Sequence, residues 1–187
     1  QVGDTGKLIF KDEEIIVLDT KRENNSTYII SDSFFKQKTD ICNAVVSRTR
    51  RNKISKNHSV THLLHESLRK ILGEHVIQKG SLVNEDYLRF DFSHYSNIND
   101  NELILIEDDV NHKIQDNLDL ITHDNISITK AKAAGALMLF GEKYGDVVRM
   151  IEFGSSKELC GGTHVSNTLE IGLFRIKSEK SSSSGVR

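Results

Sequence analysis

The chain has 187 residues, 37% of them apolar, and carries 25 Lys and Arg against 27 Asp and Glu for a formal charge of −2. That length suits one domain or two small ones sharing an interface, and the near-neutral balance argues against a protein that coats nucleic acid by bulk electrostatics. No window approaches the roughly 18 apolar residues of a membrane helix, nothing at the start reads as a signal peptide, and Cys42 and Cys160 cannot make a disulfide framework, so a reducing, cytoplasmic setting without a membrane partner is expected.

Residues 1–47 read as short strands. Leu8-Ile9-Phe10, Ile15-Ile16-Val17-Leu18, Tyr28-Ile29-Ile30 and Ala44-Val45-Val46 are β-prone runs, with turn signals at Asp12-Glu13 and Glu23-Asn24-Asn25-Ser26. Short strands at roughly ten-residue spacing predict a small barrel-like unit. Cys42, in a β-prone run, reads as a small buried hydrophobe. From Ile41 to His65 there is no acidic residue, and Arg48, Arg50, Arg51, Lys53 and Lys56 crowd together, which places a subdomain boundary near residue 48. Positive charge there would face phosphates entering a site; a solvated basic linker is the plainer alternative.

Residues 58–72 predict a helix, with Asn57 as N-cap and Gly73 just past its end. Val60, Leu64, Leu68, Ile71 and Leu72 share one face, and His58, His62 and His65 lie on another. Residues 87–93 alternate as a strand through Leu88, Phe90 and Phe92; residues 101–119 predict an acidic amphipathic helix. Residues 130–140 read as a short Ala-rich buried helix, and Val147–Phe153 and Ile171–Lys177 as strands. Ser181–Ser184 has the composition of a disordered tail, although a strand signal precedes it closely. Strands with few helices indicate an α+β fold: a barrel-like subdomain over residues 1–47 and an α+β subdomain over residues 48–187.

Two imidazoles at i and i+4 on one helix face, His58 and His62, can reach a single ion. Downstream, Cys160-Gly161-Gly162-Thr163-His164 sets a thiolate four residues from an imidazole, and its glycines favour a tight turn that approaches a ligand closely. Three imidazoles and one thiolate suit one zinc ion. A chance pairing of surface histidines is the bland alternative for either half alone. His65 is left out of the set as a residue that orients a ligand. The metalloprotease pattern of two His flanking Glu is absent, which speaks against peptide hydrolysis.

Several ordered stretches carry a resemblance: Asn57–His65, Gln78–Val83, Leu88–His94, Gly135–Asp146 and Glu158–His164, together with the opening Gln1–Gly6 and the closing Ser184–Arg187. Taken together they closely resemble the editing domain of bacterial alanyl-tRNA synthetases, which is related to domains of threonyl-tRNA synthetase and of free-standing editing proteins. The resemblance implies a tRNA(Ala) acceptor end carrying serine or glycine as substrate, hydrolysis of that ester with the alanine ester spared, and partner domains of a parent synthetase. It also fits a chain that opens on Gln1 rather than Met. Thr61 and Gln78 are assigned to the pocket that would meet a serine hydroxyl, with Gly161 and Gly162 supplying N–H groups and room. Asp91 and His94 are weaker candidates for proton transfer, singled out by their alternation and closeness to Arg89, and a structural ion pair with Arg89 is the alternative. No phosphate-binding loop or synthetase core is visible, so aminoacylation and ATP binding would belong to the parent enzyme. A free-standing deacylase and a non-catalytic RNA-binding module with structural zinc are the rival readings. With four protein ligands, the ion either activates water after a ligand loosens, or expands to five-coordinate, or holds the substrate in place.

Overall fold

The computed structural model describes residues 1–23, 26–36, 38, 41–138 and 144–187. Strands β1 (Gly6–Phe10), β2 (Glu13–Glu23), β3 (Ser26–Ser31) and β4 (Asn43–Val46) form an antiparallel sheet in the order β3-β2-β1-β4. All four follow the predicted β-prone runs. Between β1 and β2 the turn is made at Lys11 (φ 51°), next to the predicted Asp12-Glu13 signal. The predicted turn at Glu23–Ser26 includes Asn24 and Asn25, which lie outside the described residues. Among the described residues the sheet is open, with β3 and β4 as its edges, rather than a closed barrel. Alternation on β2 buries Ile15 and Val17 and leaves Ile16 and Leu18 facing out.

Helix α1 (Arg48–Leu72) runs for 25 residues and begins well before the predicted start at Asn57. Ser47 is its N-cap residue, and Ile54 in the added turns is almost fully buried, so packing extends the helix through a good cap residue. The Asn57 side chain instead donates to the Asn84 carbonyl at 2.8 Å. Its end is as predicted: the Gly73 N–H closes on the Arg69 carbonyl at 3.0 Å, with φ 118°, a backbone state that favours glycine.

Strands β5 (Gln78–Val83) and β6 (Leu88–Phe92) form a hairpin. The predicted alternation holds on β6, where Phe90 and Phe92 turn inward. Helix α2 (Asp100–Gln115) carries a full capping box between Asn99 and Glu102 and buries Ile106, Val110 and Ile114. It stops short of the predicted residue 119 because Asn117 takes the left-handed conformation, φ 56°. Strands β7 (Leu120–Ser127), β8 (Val147–Phe153) and β9 (Ser156–Leu159) make the third sheet, in that order. The predicted helix at 130–140 is α3 (Ile128–Ala133), which buries Ala131 and ends before Gly135; Leu139 and Phe140 lie outside the described residues.

Residues 171–177 are not the expected strand. A 3-10 turn covers Thr168–Ile171, and the backbone that follows satisfies its polar groups on side chains of α2. The Phe174 N–H donates to Asn111 Oδ1 at 2.9 Å, its carbonyl accepts from Asn111 Nδ2 at 3.0 Å, and the Ile176 N–H donates to Glu107 Oε2 at 2.6 Å. The Ser181–Ser184 run enters a hydrogen-bonded turn, the Ser182 N–H donating to the Val186 carbonyl at 2.9 Å. Beyond it Arg187 exchanges backbone hydrogen bonds with Phe92 at 2.8 and 2.9 Å, extending the β5–β6 hairpin. The main core joins α1, α2, β6 and β8 with Val165 and Phe174. No helix among the described residues is long and apolar enough to cross a membrane.

Candidate metal centre

Helix periodicity sets His58 and His62 one turn apart on α1, and the turn after β9 delivers Cys160 and His164 opposite them. One ligand-capable atom from each of these four residues lies within 4.8 Å of the other three. The Cys160 Sγ is 3.6 Å from His58 Nε2 and 3.4 Å from His164 Nε2. A tetrahedral ion with bonds of about 2.05 Å to nitrogen and about 2.3 Å to sulfur sets its N and S ligands roughly 3.6 Å apart, so these spacings fit a shared ion. His62 Nε2 is buried with no hydrogen-bond partner, which also fits. The donor set, three imidazoles and a thiol of borderline softness, is complete in the folded chain.

The surroundings prepare the ligands. Burial works against a Cys160 thiolate, yet the imidazoles of His164, His58 and His62 gathered around the sulfur outweigh it and bring its pKa down to about 3. The Gly162 N–H adds a contact to the same sulfur at 3.4 Å. Burial pushes His164 down to about 4, against the opposing pull of Cys160, which favours the neutral imidazole a metal needs. His62, although burial opposes its charge, is held above its ordinary value by the Glu158 carboxylate. His164 Nδ1 meets Ser59 Oγ at 3.2 Å, and that hydroxyl also accepts from the Val165 N–H at 3.1 Å. Arg149 fixes the turn by donating to the Cys160 and Gly162 carbonyls at 3.0 and 2.9 Å. Gly162 is required by close approach: a Cβ there would lie 2.0 Å from His58 Cε1. Gly161, by contrast, opens on free space.

Residues 148–187, which contain all of β8 but Val147, β9 and the Cys160–His164 turn, match the family model of the threonyl and alanyl tRNA synthetase second additional domain. The whole chain is similar to alanine–tRNA ligases: 53% identical over 187 residues to that of Bacteroides fragilis, 50% over 196 residues to that of Flavobacterium psychrophilum, and 48% over 192 residues to that of Wolbachia pipientis wMel, with 100% of this chain covered each time. The chain is thus similar over its whole length to a segment of alanine–tRNA ligases, and its last 40 residues match the second additional domain of threonyl and alanyl tRNA synthetases. It spans about a fifth of these relatives, 21 or 22% of their length.

Within the chain the predicted residues fall into distinct groups. His58, His62, Cys160 and His164 come together. Thr61 is buried on the same helix, its hydroxyl donating to the Asn57 carbonyl at 2.8 Å, the helix back-bond that is its ordinary alternative. Gln78, half-buried at the start of β5, donates to Ser81 Oγ at 3.2 Å. Arg89 pairs with Asp91 at 3.0 Å, and His94 bonds His75 at 2.9 Å, so these three have partners of their own outside the four-residue cluster. Two of the five basic residues expected to face phosphate are committed internally. Arg50 donates to Glu85 at 2.8 Å and to the Gly3 carbonyl at 2.7 Å, and Arg51 pairs with Asp4, both tying α1 to neighbouring segments. Arg48 and Lys53 are exposed, and Lys53 and Lys56 border a cavity of ≈ 1120 Å³. Cys42 is exposed rather than buried, on a stretch leading into the edge strand β4.

Four contributors escaped the sequence reading. Glu158 accepts from both His62 and His65, Ser59 and Arg149 brace the ligand turn, and Gln1 exchanges two hydrogen bonds with Thr163, at 2.9 and 3.0 Å. Glu158 had a signal: two residues before Cys160 at the end of a strand, it points to the same face. Ser59, Arg149 and Gln1 had none, because their roles depend on contacts across the fold.

Proposed function

We propose that this chain is a cytoplasmic, zinc-dependent aminoacyl-tRNA deacylase: it hydrolyses serine and glycine esters of tRNA(Ala) and spares the alanine ester. The observation that carries this reading is the three-imidazole, one-thiolate cluster in a chain matched along its whole length by alanine–tRNA ligases. The need for such a site follows from binding chemistry. A pocket shaped for alanine excludes glycine poorly and rejects an added hydroxyl only weakly, so a second site must sort what the first admits.

His58, His62, Cys160 and His164 would hold the zinc, which when bound would supply positive charge and a fixed anchor beside the ester region. A four-residue set fills a tetrahedral ion, so the main contribution of the chain is to position the ester beside water. Thr61 Oγ1 gives its proton to Asn57 and keeps lone pairs that can accept from a serine hydroxyl. Gly161 leaves room for a small side chain, and Gln78 contributes a polar amide. Arg48, Lys53 and Lys56 are the basic residues assigned to the tRNA backbone, across the boundary at residues 47 and 48 between two subdomains. Because the chain spans a fifth of its relatives, further synthetase domains would supply the rest of the tRNA affinity.

A filled four-ligand set is also what a structural zinc has, which favours a non-catalytic RNA-binding module as the second reading. Incubating the zinc-loaded chain and its Cys160→Ala variant with Ser-, Gly- and Ala-tRNA(Ala) separates the two. Shortened lifetimes of the serine and glycine esters, lost in the variant, support the deacylase; ester lifetimes equal to a protein-free control refute it.

A further inference from the structure

The carboxylate of Glu158 lies on β9 almost out of contact with solvent, 4% exposed, at the seam between the third sheet and α1. A buried carboxylate is costly unless its oxygens are satisfied, and here each oxygen has one imidazole. Oε2 meets Nδ1 of His62 at 2.5 Å, and Oε1 meets Nδ1 of His65 at 2.7 Å. Both imidazoles are themselves buried, 5% and 4% exposed, and neither Nε2 has a hydrogen-bond partner. The two are not equivalent. His62 turns its Nε2 toward the cluster with Cys160, whereas His65 packs on Phe90, ring centroids 5.2 Å apart, and is not one of the four.

We infer that Glu158 is the positioning residue that fixes His62 as a metal ligand, and that His65 acts one step further out by fixing the carboxylate. A proton held on His62 Nδ1 by Glu158 leaves the lone pair on Nε2, the atom that faces the cluster. His65, by occupying the second oxygen, prevents the carboxylate from rotating away from His62. Three residues, His65, Glu158 and His62, thus form one chain of hydrogen bonds that couples β9 to two successive turns of α1. The inference rests on the metal-site part of the proposed function.

The test is metal affinity, measured on the full chain by competition with a chromophoric zinc chelator and by the ligand-field spectrum of the cobalt(II)-substituted protein. In Glu158→Gln one oxygen becomes an NH2 donor, so the side chain accepts from only one imidazole. The expected result is a loss of zinc affinity of about 10- to 100-fold with an altered cobalt spectrum. Should that variant not fold, His65 provides the second arm. An Asn side chain can place its NH2 where Nδ1–H stood, so His65→Asn is expected to hold wild-type affinity within about threefold while His65→Ala loses more. Wild-type affinity and spectrum in Glu158→Gln, or His65→Asn as weak as His65→Ala, would overturn the inference. Failure of the wild-type chain to bind zinc or cobalt would instead overturn the metal reading beneath it, and this inference with it.

Discussion

Adding one methyl group at Gly162 should dismantle the proposed metal centre. A Cβ at that position would stand 2.0 Å from His58 Cε1, 2.4 Å from His58 Nδ1 and 2.8 Å from Gln1 Oε1. Carbon atoms in contact sit about 3.5 Å apart or more, so the imidazole would have to retreat by roughly 1.5 Å. Metal–ligand bonds tolerate only about 0.2 Å, so a ring displaced that far is no longer a ligand. Loss of a direct ligand should exceed the 10- to 100-fold typical of an outer partner, so Gly162→Ala is expected to weaken zinc by about 100-fold or more, roughly 2.7 kcal/mol. Gly161→Ala is the control, since a Cβ there meets nothing within 4 Å. Chelator competition on both variants, with circular dichroism to verify the fold, reads the difference. Zinc affinity in Gly162→Ala equal to that of Gly161→Ala would refute the reasoning.

Two further predictions concern stability. Phe153, 1% exposed at the end of β8, should cost about 3–5 kcal/mol when cut to Ala, read as a lower urea midpoint with an unchanged slope. Asp109 sits where α2 meets α1; burial opposes its charge, but hydrogen bonds from Lys113, Lys70 and Ser67 outweigh it and hold its pKa below the ordinary carboxylate range. A lowered folded-state pKa contributes stability that is present above the unfolded value, about 3.9, and is lost as pH falls toward the folded value. Asp109→Asn should therefore cost about 1–3 kcal/mol at pH 7, with the gap from wild type closing in acid below about pH 4; a gap independent of pH would contradict the assignment.

The convergence of His58, His62, Cys160 and His164 was readable from sequence because its parts are local: an i, i+4 pair on a helix, and a thiol and imidazole on one glycine turn. Helix ends and long-range partners were less readable. Asn57 is a good cap residue in isolation, but buried Ile54 and the ion pairs of Arg50 and Arg51 make the preceding turns worth folding as helix. Residues 171–177 have the composition of a strand, and only the position of Asn111 and Glu107 on α2 shows why their backbone needs no strand partner. The open first sheet has the strand spacing of a barrel, and closure depends on pairing that spacing alone does not specify. The basic run around Arg48–Lys56 illustrates the same limit: charge was legible, but its division between internal pairs and free surface required Asp4 and Glu85.

The most direct test of the account is the ratio of hydrolysis rates for Ser-tRNA(Ala) and Ala-tRNA(Ala) on the zinc-loaded chain. A pocket that satisfies the serine hydroxyl predicts faster hydrolysis of the serine ester by at least about 100-fold. Equal rates for the two esters would contradict it.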